Sequence, residues 1–209
     1  VKRIPASLEA SREGTHCLYE LIQADVSFRI ISTPDRLNAQ HYHVEWLNHT
    51  FNADQHLSAP WQLGYQKSGQ PVVISSKETG HFISRAYCPL NHDTLLCALG
   101  LAQRPIGIDV EKIDDHIDIP WNMLTTQEKE ILDSLPKNTR ALIFIQLWTL
   151  KEAYLKACGT GLLRAPEEIC GVFQEGYWSL KDDRCIITPT LNQTIVLDQH
   201  SYHVCVVVL

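Results

Sequence analysis

The sequence predicts a mixed α/β (α+β) protein, and three observations carry that expectation. Residues 106–111, IGIDVE, alternate Ile106, Ile108 and Val110 with Gly107, Asp109 and Glu111, the period of a half-buried strand. Residues 140–158 contain neither proline nor glycine, and Gly159 follows as a C-cap, which predicts a long helix. From Gly171 onward, apolar stretches are separated by Asp182-Asp183, Pro189 and the turn-like residues 198–201, which predicts a run of strands. At 209 residues the chain is one large domain or two small ones, and its 44% hydrophobic and 20% charged content is ordinary for a soluble globular protein.

Taken in order, the N-terminal stretch VKRIPASLEASREG lacks the apolar centre of a signal peptide. It also lacks an initiator Met, as a processed or truncated chain would. No apolar run approaches the roughly 20 residues of a membrane span. Residues 17–31 alternate around Val26, Phe28 and Ile30 and suit a strand. Thr33-Pro34-Asp35 is a turn that starts a helix over 36–51. This helix holds His41, His43 and His49; His41 and His43, two apart, share no face, which argues against a metal pair. Residues 58–80, with Pro60, Gly64, Gly69, Pro71 and Gly80, are loop and short strand. Residues 81–86 and 93–100 read as strands around the loop 87–92, and with 105–111 they form an antiparallel meander. Ser84 and Arg85 then lie near the sheet end, either as an ordinary strand pair or within reach of an anion.

After the acidic link 114–120, Thr125 and Glu128 have the spacing of a capping box. Glu128 is therefore either that cap or part of a site, and Pro136 ends the short helix. The long helix 140–158 is apolar around much of its circumference, so it is central, and its polar residues are informative. Trp148, Glu152 and Lys156 recur at i, i+4 and i+8 and line one face. Glu152 and Lys156 form either a weak i,i+4 ion pair or part of a site. The later strands fall at 172–180, 185–188, 194–197 and 202–209, the last continuous and aliphatic as a strand buried on both faces would be.

The chemistry starts from Asp109 and Glu111, which point to the same side of their strand about 7 Å apart. Two carboxylates that close resist joint ionisation unless a cation lies between them. Mg²⁺ is the natural occupant of such oxygen ligands. Alone, the pair is more simply an acidic, solvated strand end, so it needs a partner elsewhere. The formal net charge of −6, with no basic block, argues against nucleic acid as the main partner. Seven cysteines without a CxxC pair argue for reduced thiols in a cytoplasm. A divalent cation, anion-binding residues and a helix carboxylate together suggest phosphoryl chemistry on a diphosphate. A metal-dependent phosphatase or nucleotidase would use the same groups.

Two blocks narrow the choice. RPIGIDVEKI at 104–113 and FIQLWTLKEAYLKACGTGL at 144–162 closely resemble the two signature motifs of the 4′-phosphopantetheinyl transferases of the long, surfactin-synthetase-activating type. The spacing from Asp109 to Glu152 fits that pattern, as do Gly159 and Gly161. The family's GKP is similar to Gly69-Gln70-Pro71, with Gln for Lys. Its N-(I/V)-S-H-S is similar to Phe82-Ile83-Ser84-Arg85-Ala86, with Arg for His. The resemblance covers residues 65–165.

It implies a pseudo-dimer of two similar halves, each a small antiparallel sheet packed with helices. The halves would be 1–103 and 104–209, the second carrying the metal-site motifs, with coenzyme A in the cleft between them. The implied reaction moves the 4′-phosphopantetheine arm of CoA onto a serine of an apo acyl, peptidyl or aryl carrier protein and releases adenosine 3′,5′-bisphosphate. Such enzymes serve fatty-acid, polyketide or nonribosomal-peptide synthesis. Asp109, Glu111 and Glu152 would hold Mg²⁺, or Mn²⁺, and Glu152, Glu128 or a metal-bound water would be the base. Lys151 and Lys156 would meet phosphate oxygens. Arg36 and Arg85 would take the 3′-phosphate, with Gln70, Pro71 and Ser84 as further CoA contacts. The implied protein is a cytoplasmic monomer with an internal pseudo-twofold, no nucleic-acid partner and no membrane attachment. A non-catalytic carrier-binding module on the same fold is the remaining alternative.

Overall fold

The structure, a computed structural model, describes residues 16–22, 26–51, 62–65, 71–74, 81–197 and 199–209. The chain divides into two compact units, Val1–Ile106 and Gly107–Leu209. The first contains β1 (His16–Ile22), β2 (Val26–Thr33), α1 (Arg36–Phe51), β3 (Gln62–Tyr65), β4 (Pro71–Ile74), β5 (Phe82–Pro89) and β6 (Leu95–Ala102). A four-stranded sheet runs β1-β2-β6-β5, and β3 and β4 form a separate hairpin. The strand pairs β1–β2, β2–β6 and β5–β6 are antiparallel. The central strands β2 and β6 are buried almost throughout, and β6 is correspondingly a continuous apolar run, whereas β2 also buries Ser27, Ser32 and Thr33. Asp35 caps α1, its carboxylate accepting from the Asn38 amide at 2.8 Å and the Asn38 side chain at 3.0 Å. The helix then lays Trp46 and Leu47 against Ile83, Leu99 and Leu101. His41 is exposed and His43 fully buried, so the two do not share a face.

The second unit contains β7 (Ile106–Lys112, whose first residue closes the other unit), α2 (Thr126–Ser134) and α3 (Lys137–Ala157), then β8 (Cys170–Gln174), β9 (Tyr177–Asp182), β10 (Cys185–Ile187), β11 (Leu191–Leu197) and β12 (His200–Val208). Short 3₁₀ turns lie at Trp121–Met123, Gly161–Leu163 and Pro166–Glu168. Its two sheets have the orders β10-β9-β8 and β11-β12-β7. Antiparallel pairing and helices packed on small sheets bear out the α+β expectation.

Two expectations are corrected. The strand 105–111 does not continue a meander with 81–86 and 93–100: β7 lies beside β12, and the Ile113 amide extends that contact to the Ser201 carbonyl at 2.8 Å. The stretch 172–180 is not one strand but the β8–β9 hairpin. Glu175 and Gly176 turn it with φ of 52° and 85°, the pair of positive angles a tight two-residue hairpin requires.

Helix α3 starts at Lys137, with Pro136 as its N-cap, and Leu135 stays extended before that proline. Its C-terminus is a Schellman motif: Thr160 N–H reaches the Leu155 carbonyl at 3.2 Å, Gly159 N–H reaches Lys156 at 3.0 Å, and Gly159 sits at φ 73°. Buried side chains encircle α3, from Phe144 and Leu147 to Leu150, Tyr154 and Leu155, so it is the central helix of this unit. The aliphatic β12 is likewise buried from Tyr202 through Val207. Among the described residues, no helix is long and apolar enough to cross a membrane.

Candidate active site

Gly107 sets the geometry. A Cβ on Gly107 would stand 1.7 Å from the Ala153 carbonyl oxygen and 2.6 Å from the Ala157 amide, so β7 and α3 touch backbone to backbone. Only glycine on the strand and small residues on the helix permit that approach. Two residues beyond Gly107, Asp109 meets the α3 face that carries Trp148, Glu152 and Lys156.

Asp109 is only 4% exposed. Its Oδ1 accepts from Lys156 Nζ at 2.6 Å, and the same ammonium donates to the Ile108 carbonyl at 3.3 Å. Oδ2 is buried without a hydrogen-bond partner. Burial pushes the Asp109 carboxyl above its ordinary range, against the pull of Lys156. Glu111 is pushed up to about 7, first by burial and then by the Asp109 charge; Lys156 opposes the shift, Glu152 adds to it, and a hydrogen bond with Trp148 opposes it. Glu152 is raised by burial and by Asp109. Three carboxyls therefore share one ammonium. Among the described residues, no three His, Cys, Asp or Glu side chains are already drawn around a single point as a finished metal cage. The donor set nevertheless fits a hard divalent cation, because every donor is a carboxyl oxygen and one buried oxygen of Asp109 has no other partner.

Glu128 and Lys151 form a different unit. Both side chains are fully buried, and Lys151 Nζ lies 2.8 Å from Glu128 Oε1 and Oε2 and 2.9 Å from the Pro166 carbonyl. Glu128 also accepts from the Thr125 and Gly171 amides, and Thr125 Oγ1 accepts from the Glu128 amide, which completes the capping box. Gly171 leaves the room: a Cβ there would meet Leu147 at 2.6 Å and Glu128 Oε1 at 2.9 Å. The pair ties α2, α3 and β8 together, and neither residue contributes to the shifts at Asp109, Glu111 or Glu152.

In the first unit, Arg85 and Arg36 share an aromatic partner. The Arg85 guanidinium lies 5.1 Å from the Tyr65 ring centre and 5.9 Å from that of Tyr87, and Arg36 lies 5.0 Å from Tyr87. Arg85 Nη2 donates to the Tyr65 hydroxyl, whereas Nη1 is buried without a partner. Ser84 is buried and, as the preceding residue on β5, faces the opposite side of the strand from Arg85. Pro71 begins β4 opposite Tyr65. Gln70 lies outside the described residues.

The 4′-phosphopantetheinyl transferase superfamily profile matches residues 105–202, which hold Asp109, Glu111, Glu128, Lys151, Glu152 and Lys156. The 4′-phosphopantetheinyl transferase HetI of Nostoc sp. (strain PCC 7120) is 30% identical over 141 residues, covering 60% of this chain and 58% of its own length. The 4′-phosphopantetheinyl transferase gsp of Aneurinibacillus migulanus is 35% identical over 74 residues, 35% of this chain and 31% of its own. Sfp of Bacillus subtilis (strain 168), also a 4′-phosphopantetheinyl transferase, is 25% identical over 126 residues, 58% of this chain and 56% of its own. The chain is similar to the 4′-phosphopantetheinyl transferase superfamily over residues 105–202, and to these three transferases over about a third to three fifths of its length. It spans little more than half the length of HetI and Sfp, and less of gsp.

Within the matched region the chain brings Asp109, Glu111, Glu152 and Lys156 together, and it keeps Glu128 with Lys151 in a separate buried pair. Sequence reasoning missed Tyr65 and Tyr87, although Tyr87 follows Arg85 by two residues and so shares its strand face. It also missed Asp182, which accepts Arg164 Nη1 and Nη2 and the Tyr154 hydroxyl, each at 2.6 Å. Those three residues are far apart in the chain and carry no local spacing signal.

Proposed function

We propose that this protein is a 4′-phosphopantetheinyl transferase of the surfactin-synthetase-activating type. It would move the 4′-phosphopantetheine arm of CoA to a serine of an apo acyl, peptidyl or aryl carrier protein. The observation that carries the reading is the buried Asp109, with one oxygen on Lys156 and the other without a partner, facing Glu111 and Glu152 within the superfamily's matched region. Asp109, Glu111 and Glu152 would hold Mg²⁺ or Mn²⁺. A cation bound there would supply charge neutralisation on the diphosphate and its leaving group.

The chain's own residues divide the remaining work. The serine Oγ forms a bond to the phosphorus next to the pantetheine arm, the bridging P–O bond breaks, and adenosine 3′,5′-bisphosphate leaves with that oxygen. Glu152, whose carboxyl is raised above its ordinary range, accepts the serine proton. Lys156 offers its ammonium to the phosphate oxygens. Arg36 and Arg85 take the 3′-phosphate, a role supported by the partnerless Nη1 of Arg85. Gln70, Pro71 and Ser84 are read as further CoA contacts from the resemblance. Glu128 and Lys151 support the helix beneath the site.

Incubation with CoA, Mg²⁺ and a panel of apo carrier proteins tests the reading through the carriers' mass. A gain equal to one phosphopantetheine on a serine is expected. CoA cleavage without a gain would instead indicate a phosphatase or nucleotidase. Carrier binding with no turnover would indicate a non-catalytic module.

A further inference from the structure

Lys156 stands where a cation is needed. Its side chain is 28% exposed, and its ammonium lies 2.6 Å from a carboxylate whose own side chain is 6% exposed. Among the described residues, the ammonium is also the one positive charge that offsets the electrostatic pressure on all three carboxyls, Asp109, Glu111 and Glu152. A buried carboxylate without a counter-charge is strongly destabilising. Lys156 therefore supports the fold around Asp109 before any ligand arrives. A divalent cation and an ammonium on the same carboxylate repel one another. The backbones of β7 and α3 meet at Gly107 and Ala153, and that close packing fixes where the strand carboxylates stand relative to the helix. The lysine side chain, on its flexible four-carbon stem, can move.

We infer that Lys156 is a built-in counter-ion that competes with the divalent cation for Asp109, and that an incoming diphosphate relieves the competition by taking the ammonium. This rests on reading Asp109, Glu111 and Glu152 as the cation site. It makes cation and diphosphate mutually reinforcing ligands. By linkage, whatever factor the diphosphate adds to cation affinity, the cation adds to diphosphate affinity. Part of that factor resides in a side chain of the protein, not only in direct contact between cation and phosphate.

The test is calorimetric titration of Mn²⁺ into the parent, Lys156→Met, Lys156→Gln and Asp109→Asn, near pH 8, with and without CoA. No carrier protein is present, so no transfer occurs. Both lysine variants are expected to bind Mn²⁺ alone about tenfold more tightly than the parent. CoA should then improve their Mn²⁺ affinity by a smaller factor than it improves the parent's. Should a variant be unfolded without metal, refolding on Mn²⁺ addition, read by circular dichroism, supports the proposal, and failure to refold overturns it. If both variants bind Mn²⁺ no more tightly than the parent while Asp109→Asn binds less, the cation site stands and the role of Lys156 falls. Absence of Mn²⁺ binding in every protein, with and without CoA, removes the cation site and the proposal together.

Discussion

A carboxyl buried as deeply as that of Asp109 needs a positive partner to ionise, and the site offers Lys156 for one of its two oxygens. Asp109→Ala and Glu152→Ala should each cut transfer by roughly a hundredfold or more, beyond the loss typical of groups that only orient a metal ligand. Circular dichroism should show both folded, and near-parental turnover at saturating Mg²⁺ would remove them from the site. Arg85 makes a second residue-scale prediction. A charge-assisted contact is worth about 1.5–3 kcal/mol, so Arg85→Ala should weaken CoA by roughly tenfold to a hundredfold. The same variant should bind 3′-dephospho-CoA as the parent does, and equal losses for the two ligands would take Arg85 away from the 3′-phosphate. At this scale the carboxylates and Lys156 were legible in the sequence. Spacings of two on a strand and four on a helix fix which side chains share a face, and the structure brings those faces together. Glu128 and Lys151 could not be placed from the sequence, because their partners, the Gly171 amide and the Pro166 carbonyl, lie outside any local spacing.

Between elements, contact distances decide more than propensity does. Gly107→Ala would drive a methyl group into the Ala153 carbonyl, and overpacking of that kind costs roughly 1–3 kcal/mol or more. Urea titration should show that loss, with transfer falling in parallel as Asp109 moves off α3. Glu128→Gln removes the charge opposite a fully buried Lys151, and breaking such a pair costs about 3–5 kcal/mol. Its effect should appear in the melting temperature rather than in kcat at a temperature where the variant is folded. The β9 end of the unit offers a pH test. Hydrogen bonds from Arg164, aided by Tyr154, hold the Asp182 carboxyl down to about 2. A depressed folded pKa means the unfolded chain takes the proton first as pH falls. The contribution is complete above about pH 4 and is lost between there and about pH 2. By linkage it is worth roughly 2 kcal/mol. Acid melting curves of the parent and Asp182→Asn should converge over that window, and a constant gap would show that the clamp is not electrostatic. Helices α1, α2 and α3 were readable from caps and prolines. The β8–β9 hairpin was not, because Gln174-Glu175-Gly176 is a weaker turn signal than Asn-Gly, and the apolar residues on either side read as one run.

Across the whole chain, strand partnership is what local pattern leaves open. The alternation of Ile106, Ile108 and Val110 says that 106–111 is a strand, but the same alternation would pair as well with 93–100 as with 200–208. The structure chooses the distant partner, and β7 joins the sheet of β11 and β12. That choice has a consequence for how the protein is made. A chain emerges from the ribosome in order, and N-terminal segments collapse while later ones are still being added. Among the described residues, the strand bearing Asp109 pairs with β12 alone, so it leaves the ribosome without that partner and waits until roughly ninety further residues have been translated. Throughout that interval its aliphatic face is open to chaperones and to neighbouring nascent chains. A polypeptide interrupted before β12 would hold both signature motifs in full and still lack the scaffold that turns them into a site.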